Sequence, residues 1–467
     1  MKLKLAPKLI LGTALIFSVS TLSAQTADTM KTEFTTADSL KAVAKADSIK
    51  AATKPNSLTI SVDMRTRTEI RHGYSVLPTQ DTTAAFFTNQ RTRLNFDFKT
   101  KKFDFYASLQ DTRVWGQQDP REGQGTATPT EATTYPLYLF EIYAEPHFSD
   151  KFSVRIGRQR IMYDNQRLYA ENDWRLPGNS HDAIRFIYNN KINFTNELTA
   201  AYNQYGENTF TANYKPVGFA NYKALVVDYL NWKISKSLNF LTINTADGYQ
   251  SSVPADYKTT YMRFTTGGRL EYSSYKWYFT MSGYYQFGKD SAGKKLSAYY
   301  LQPEIKYSGI KNLTIRLGME YLSGQDTLSS KDNNFVPLYG VAHRFMGNMD
   351  FFARFPADVN SGGLINPYLF FMYQNKKLTL RLENHLFYSQ SNAAFKGKGD
   401  LDNYLGFEND WRINYKAMPF LDIESGFCWA AVTKSMTVVK KSGDTKAFPY
   451  WYYLSLRFTP TIGKFTF

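Results

Sequence analysis

LTISVDMRTRTEIR, residues 58–71, changes chemistry at every second position: Leu58, Ile60, Val62 and Met64 alternate with Asp63, Arg65, Arg67, Glu69 and Arg71. Successive side chains of a β-strand project to opposite faces, so this two-residue period assigns hydrocarbon to one surface and ionic groups to the other. The next segment repeats it, with Asn89, Arg91, Arg93, Asn95 and Asp97 on the polar phase against Leu94, Phe96 and Phe98. The pattern recurs almost to the C-terminus, through Arg263, Arg269 and Glu271, then Arg316 and Glu320, Arg381 and Glu383, Glu408, Asp410 and Arg412, and Asp422 and Glu424. An Arg or Lys facing lipid at mid-membrane costs roughly 2–4 kcal/mol. If the strands lie in a membrane, these charges face inward.

The N-terminus supports an exported chain. Lys2, Lys4 and Lys8 precede an apolar run from Leu9 to Phe17, followed by Ser18 to Ser23 and Ala24-Gln25. Residues 1–24 read as a secretory signal peptide, because the apolar run is shorter than the roughly 20 residues of a spanning helix. No later segment is long and apolar enough for such a helix either, so membrane entry requires strands. Residues 25–57 read as a periplasmic extension, flexible or helical, in which Ala37-Asp38-Ser39-Leu40-Lys41-Ala42 is echoed by Ala46-Asp47-Ser48-Ile49-Lys50-Ala51. It serves either as a spacer or as a dock for a periplasmic partner.

From residue 58 to 467 the connections alternate in length. Short ones lie at Thr100-Lys101-Lys102, His147 to Lys151, Asn189 to Lys191, Ser235 to Ser237, Ser273 to Tyr275, Ser308 to Asn312, Asn375 to Lys377 and Lys416 to Pro419. Longer ones lie around 72–86, 113–136, 160–181, 204–216, 245–258, 288–295, 323–362, 389–402 and 431–447. Outer-membrane barrels have short periplasmic turns and longer external loops, so the expectation is an all-β, antiparallel transmembrane barrel of about 18 strands. The aromatic content, 34 Tyr and 35 Phe, suits interfacial girdles. The last aromatic strand, Tyr450 to Phe458, precedes a chain end at Phe465-Thr466-Phe467 that resembles an assembly signal for outer-membrane barrels.

A formal charge of +15 on a soluble chain would suggest nucleic acid. On a barrel the placement of the charge decides instead, and no nucleic-acid partner is expected. Arg65, Arg67, Arg91 and Arg93 stand close together on the first two strands. They either knit the wall through Arg–carboxylate pairs or line a positive constriction, and we expect both. Enzyme motifs are missing: His72, His147, His181, His343 and His385 show no metal-ligand spacing, and there is neither a Walker A loop nor a Gly-x-Ser-x-Gly elbow. His181-Asp182 leaves a rim hydrolase as a minor alternative. The single cysteine, Cys428, excludes an internal disulfide. No metal or other cofactor is expected.

Arg155-Ile156-Gly157-Arg158-Gln159-Arg160, continuing to Gln166-Arg167-Leu168, Trp174 and His181-Asp182-Ala183-Ile184-Arg185, resembles the alginate export family of outer-membrane barrels. A second block, His343-Arg344-Phe345-Met346-Gly347-Asn348-Met349-Asp350-Phe351-Phe352 before Gly362-Gly363-Leu364, is similar to a block of the same family. The resemblance implies an 18-stranded barrel whose basic lumen passes a linear anionic polysaccharide by diffusion. It makes Arg158, Arg167, Asp182, Arg185, Arg344 and Asp350 candidates for the pathway or its gate. Arg160 and Arg175 join Arg158, Arg167 and Arg185 around one external connection, where they either guide an anion or clamp the loop. The resulting expectation is a monomeric outer-membrane channel in contact with lipid and anionic solutes. The competing reading is a plugged barrel acting as a receptor or scaffold.

Overall fold

A computed structural model describes residues 55–467 apart from 117–136, 205, 208, 210–220, 254, 255 and 257. The expectations for residues 1–24, and for all but the last three residues of 25–57, lie outside this range. The described strands are β1 (Ser57–His72), β2 (Ala85–Lys99), β3 (Phe103–Val114), β4 (Tyr138–Ser149), β5 (Phe152–Gln159), β6 (His181–Asn189), β7 (Phe194–Tyr202), β8 (Ala224–Lys233), β9 (Leu238–Gln250) and β10 (Thr260–Ser274). They continue with β11 (Trp277–Lys289), β12 (Lys295–Ile310), β13 (Leu313–Leu322), β14 (Leu364–Gln374), β15 (Leu378–Tyr388), β16 (Tyr404–Met418), β17 (Leu421–Val432), β18 (Tyr450–Phe458) and β19 (Thr461–Thr466).

From β1 to β18 each strand pairs antiparallel with its sequence neighbour, and β1 also pairs with β18 and β19, which closes the sheet. β18 and β19 are two halves of one stave. Pro460 cannot donate to a ladder, and the chain breaks there before resuming along β1, with Leu58 opposite Phe465. The closed barrel therefore has 18 staves, and the chain end Phe465-Thr466-Phe467 runs into the seam. Closure leaves no open edge, as lipid demands. Among the described residues, no helix is long and apolar enough to cross a membrane.

The outward phase carries Leu270, Leu317, Trp411, Ile413 and Phe427, all exposed. Aromatic pairs mark both rims: Phe98–Phe103 and Trp277–Tyr307 near the short turns, Tyr299–Tyr321 and Tyr388–Tyr404 near the long loops. These are the amphipathic belts of the two interfaces. The expected connection at 245–258 is shorter in the structure, because β9 continues to Gln250. Its last residues carry Ala246 and Gly248 on one phase, too small to register as an apolar alternation.

The apolar core lies inside the barrel, formed by two infolded external loops. Residues 160–180, between β5 and β6, bury Ile161, Tyr163, Leu168 and Tyr169. Residues 323–363, between β13 and β14, bury Phe335, Met349, Phe351 and Phe352. The loops join through backbone bonds from Tyr339 N to Leu168 O (2.9 Å) and from Ala170 N to Tyr339 O (3.2 Å). Gly340 permits this approach, since a Cβ there would lie 1.9 Å from Arg167 O.

Tyrosine side chains pin this pair to the wall of β7–β9. Tyr163 stacks on Tyr229 with centroids 4.4 Å apart and bonds Thr199, Tyr169 bonds Thr245, and Tyr339 donates to Asp247. On the opposite side, Asp410 accepts from Asn348 N (3.0 Å) and Glu408 accepts from Met349 N (2.7 Å). Gly347, at φ +82°, sits against the Glu408 carboxylate, where any Cβ would collide.

Candidate anion pathway

Strand register puts like charges abreast. Arg65 on β1 stands opposite Arg91 on β2 and opposite Arg457 on β18, so three guanidinium groups form one row on the inner wall. Like charges directly opposite across a sheet destabilise it. Two carboxylates resolve the conflict. Asp63, also on β1, accepts from Arg457 (2.8 Å) and Arg91 (3.3 Å), and Asp173, at the inner end of loop 160–180, takes the rest.

Both amino groups of Arg91 reach the Asp173 carboxylate, at 2.7 and 3.1 Å, and Arg93 donates to the same carboxylate at 2.7 Å. Arg65 donates to the backbone carbonyls of Asp173, Trp174 and Arg175. Burial alone would push the Asp173 carboxyl up; Arg91, Arg93, Arg65 and Arg457 override it and hold the group well below the usual carboxylate range.

Above this row, Arg67 lies over the Trp174 ring at 4.3 Å and donates to the Trp174 carbonyl (2.9 Å). Glu69 bridges Arg67 (2.8 Å) and Arg71 (2.7 Å) and accepts from the Trp451 indole. The opposite face of the infolded segment is closed by His343, stacked on Trp174 with centroids 4.3 Å apart and planes 10° from parallel. In this linked set six arginines, Arg65, Arg67, Arg71, Arg91, Arg93 and Arg457, share three carboxylates, Asp63, Glu69 and Asp173. Arginines outnumber carboxylates in this set, and the inner loop sits on it.

The expected site residues divide into three groups. Arg65, Arg67, Arg91 and Arg93 face inward as expected, buried under the segment Asp173-Trp174-Arg175. Arg167 lies deeper than the entrance assigned to it: it is 2% exposed, paired with Glu320 at 2.7 Å and bonded to the Val341 carbonyl. Arg185 faces inward, donating to Arg160 O (2.7 Å) and pairing with Glu197 (3.4 Å). Asp350 accepts from His343 (3.0 Å) and from the Tyr74 hydroxyl, and Arg344 is half-buried beside them in the infolded loop.

Arg158 and Asp182 are the correction. They pair with each other at 2.8 Å on the outer surface near the loop rim, in phase with exposed Ile156 and Phe186. They do not face the barrel interior. His181 points inward and bonds Tyr222 OH (2.9 Å), so His181 and Asp182 lie on opposite faces and form no imidazole–carboxylate dyad. The sequence reading put Asp63 on the inward phase without assigning it to the site, and it missed Asp173 and Arg457. Asp63 and Arg457 carry the inward phase of their strands; Asp173 had no periodic signal, being in a loop.

A closed 18-stave antiparallel barrel with infolded external loops defines an outer-membrane porin-type protein. Solved structures agree on the fold. Pseudomonas aeruginosa OccK5 (OpdH) superposes with a TM-score of 0.56 at 12% identity, covering 87% of this chain and 98% of its own. Acinetobacter baumannii OccAB1 gives 0.58 at 12%, covering 87% and 97%, and P. aeruginosa OpdK, solved with vanillate, gives 0.56 at 10%, covering 87% and 99%. A comparison with curated proteins returns no match. The family model for alginate export matches residues 56–426, and the chain belongs to that family of outer-membrane transport barrels.

Proposed function

We propose that the barrel is a passive channel for anionic solutes, with an anionic polysaccharide of the alginate kind as its cargo. The observation that carries this reading is the row Arg457–Arg65–Arg91, backed by Arg93 and Arg67, whose positive charge exceeds that of its carboxylate partners. Guanidinium groups take carboxylates in a planar, two-point geometry, and several such sites in series let a chain enter and leave. Arg167 and Arg185 hold the infolded loops that narrow the route, and Asp350 ties one of them to the loop after β1 through Tyr74. OpdK bound to vanillate, a carboxylate, is compatible with such a route in this fold. The test is efflux from liposomes: oligouronates should cross, and neutral oligosaccharides of equal length should lag. Equal rates for both would sink the reading.

The plugged-barrel reading has its own support in the two loops, which fill the interior with fully buried aromatics such as Tyr169, Phe335 and Phe352. A receptor of that kind carries no current through the folded protein. Conductance separates the two.

A further inference from the structure

Away from the arginine wall, at the external mouth over β11–β17, an open basin of about 560 Å³ lies among four loops. Its rim carries Lys294, Lys396, Lys398 and Lys441, all exposed, with Asp326 as the only carboxylate in the lining. Among the described residues none of the four lysines enters an ion pair, in contrast to the paired arginines within the barrel.

The wall is built rather than loose. Gln325 N donates to Ser361 O (2.7 Å), Ser391 Oγ to Gln325 O (2.6 Å), and Asn360 Nδ2 to Ala394 O (2.7 Å), so two of the loops are cross-linked around the basin. Asn360 and Ser361 hold consecutive positive φ angles, 46° and 62°. Strained backbone of this kind persists where the surroundings over-determine it, and it clusters at ligand sites.

We propose that this basin is a docking station for a carboxylated oligosaccharide, a stretch of uronate chain held at the mouth before or after transit. The proposal rests on the anionic-channel reading and adds a second site to it. The volume falls in the range of ligand sites, about 300–1,000 Å³. The lining contains no aromatic ring, and its hydroxyls and amides suit sugar hydroxyls rather than an apolar ligand. Lysine supplies hydrated point charges that attract carboxylates weakly, as a station passed by a moving chain requires. Each exposed charge contact contributes a factor of about 1.8 in affinity, so four contribute about tenfold.

The experiment is calorimetric titration of the folded full chain in detergent with tetragalacturonate, maltotetraose and inorganic phosphate. It is repeated on a variant carrying Lys294→Gln, Lys396→Gln, Lys398→Gln and Lys441→Gln, and on the milder pair Lys396→Glu with Lys398→Glu. The expected result is binding of tetragalacturonate but not maltotetraose, weakened about tenfold in the fourfold variant. Equal binding by variant and parent, equal binding of maltotetraose, or tighter binding of phosphate than of the uronate would each overturn it. Lysine-dependent binding to a barrel that carries no current would retain the basin and refute the channel; a conducting barrel without such binding would do the reverse.

Discussion

Arg91 and Asp173 meet in a two-point ion pair, at 2.7 and 3.1 Å, between a transmembrane strand and an infolded external loop. The wall arginines and the loop are thereby one device: the loop carboxylate relieves three guanidinium groups abreast.

Replacing Asp173 by Asn removes that counter-charge while keeping the shape. Breaking a buried pair by removing one partner costs about 3–5 kcal/mol, here drawn from the docking of loop 160–180 rather than from the barrel. The expected outcome is a folded barrel, judged by heat-modifiable gel mobility, with larger conductance and stronger anion preference. Unchanged conductance would show that the pair does not hold the loop in the path.

The pH dependence follows from the same group. The Asp173 carboxyl is depressed in the folded state, so its contribution is fully present above the unfolded carboxylate range, near about 3.9, and is lost only as pH falls through a folded value well below it. Loop docking through Asp173 should therefore persist from neutral pH down to about 4. Protease accessibility of residues 160–180 as a function of pH checks this; release of the loop between pH 7 and 5 would contradict it.

Trp174 joins the two infolded loops, stacked on His343 on one face and lying under Arg67 on the other. Trp174→Ala should loosen both loops together, at a cost of about 3–5 kcal/mol in their docking. Hydrogen exchange would then rise in 160–180 and in 339–350 alike, with the strands protected. A rise confined to the first loop would show that the stack does not couple them.

Arg158→Ala should do little. The pair with Asp182 is on the outer surface and exposed, a class of interaction that contributes about 0.2–1 kcal/mol. Selectivity and conductance should match the parent protein. A changed reversal potential would return Arg158 to the pathway.

How far the sequence carried can be traced in these same residues. The alternation of Leu58 to Arg71 placed Arg65 and Arg67 inward correctly, because a two-residue period has only two phases and lipid accepts only one of them. The short turns and long loops gave the strand count for the same reason. Arg158 and Asp182 went astray because a motif reading was set above the period: Ile156 and Arg158 share one phase, as do Asp182, Ile184 and Phe186, and that phase is outward. An outward charge is tolerated near the rim, where its cost falls to about 0–1 kcal/mol. The infolding of residues 160–180 and 323–363 had no such signal. Their apolar residues follow no strand or helix period, and the tyrosine hydroxyls that pin them find partners as distant as Asp247.

The most direct measurement is the reversal potential of single folded barrels in a planar bilayer under a KCl gradient. The arginine surplus on the inner wall should give an anion-preferring current that moves toward cations in Arg65→Glu with Arg457→Glu. A cation-preferring current in the parent protein, or folded barrels that carry none, would contradict the account.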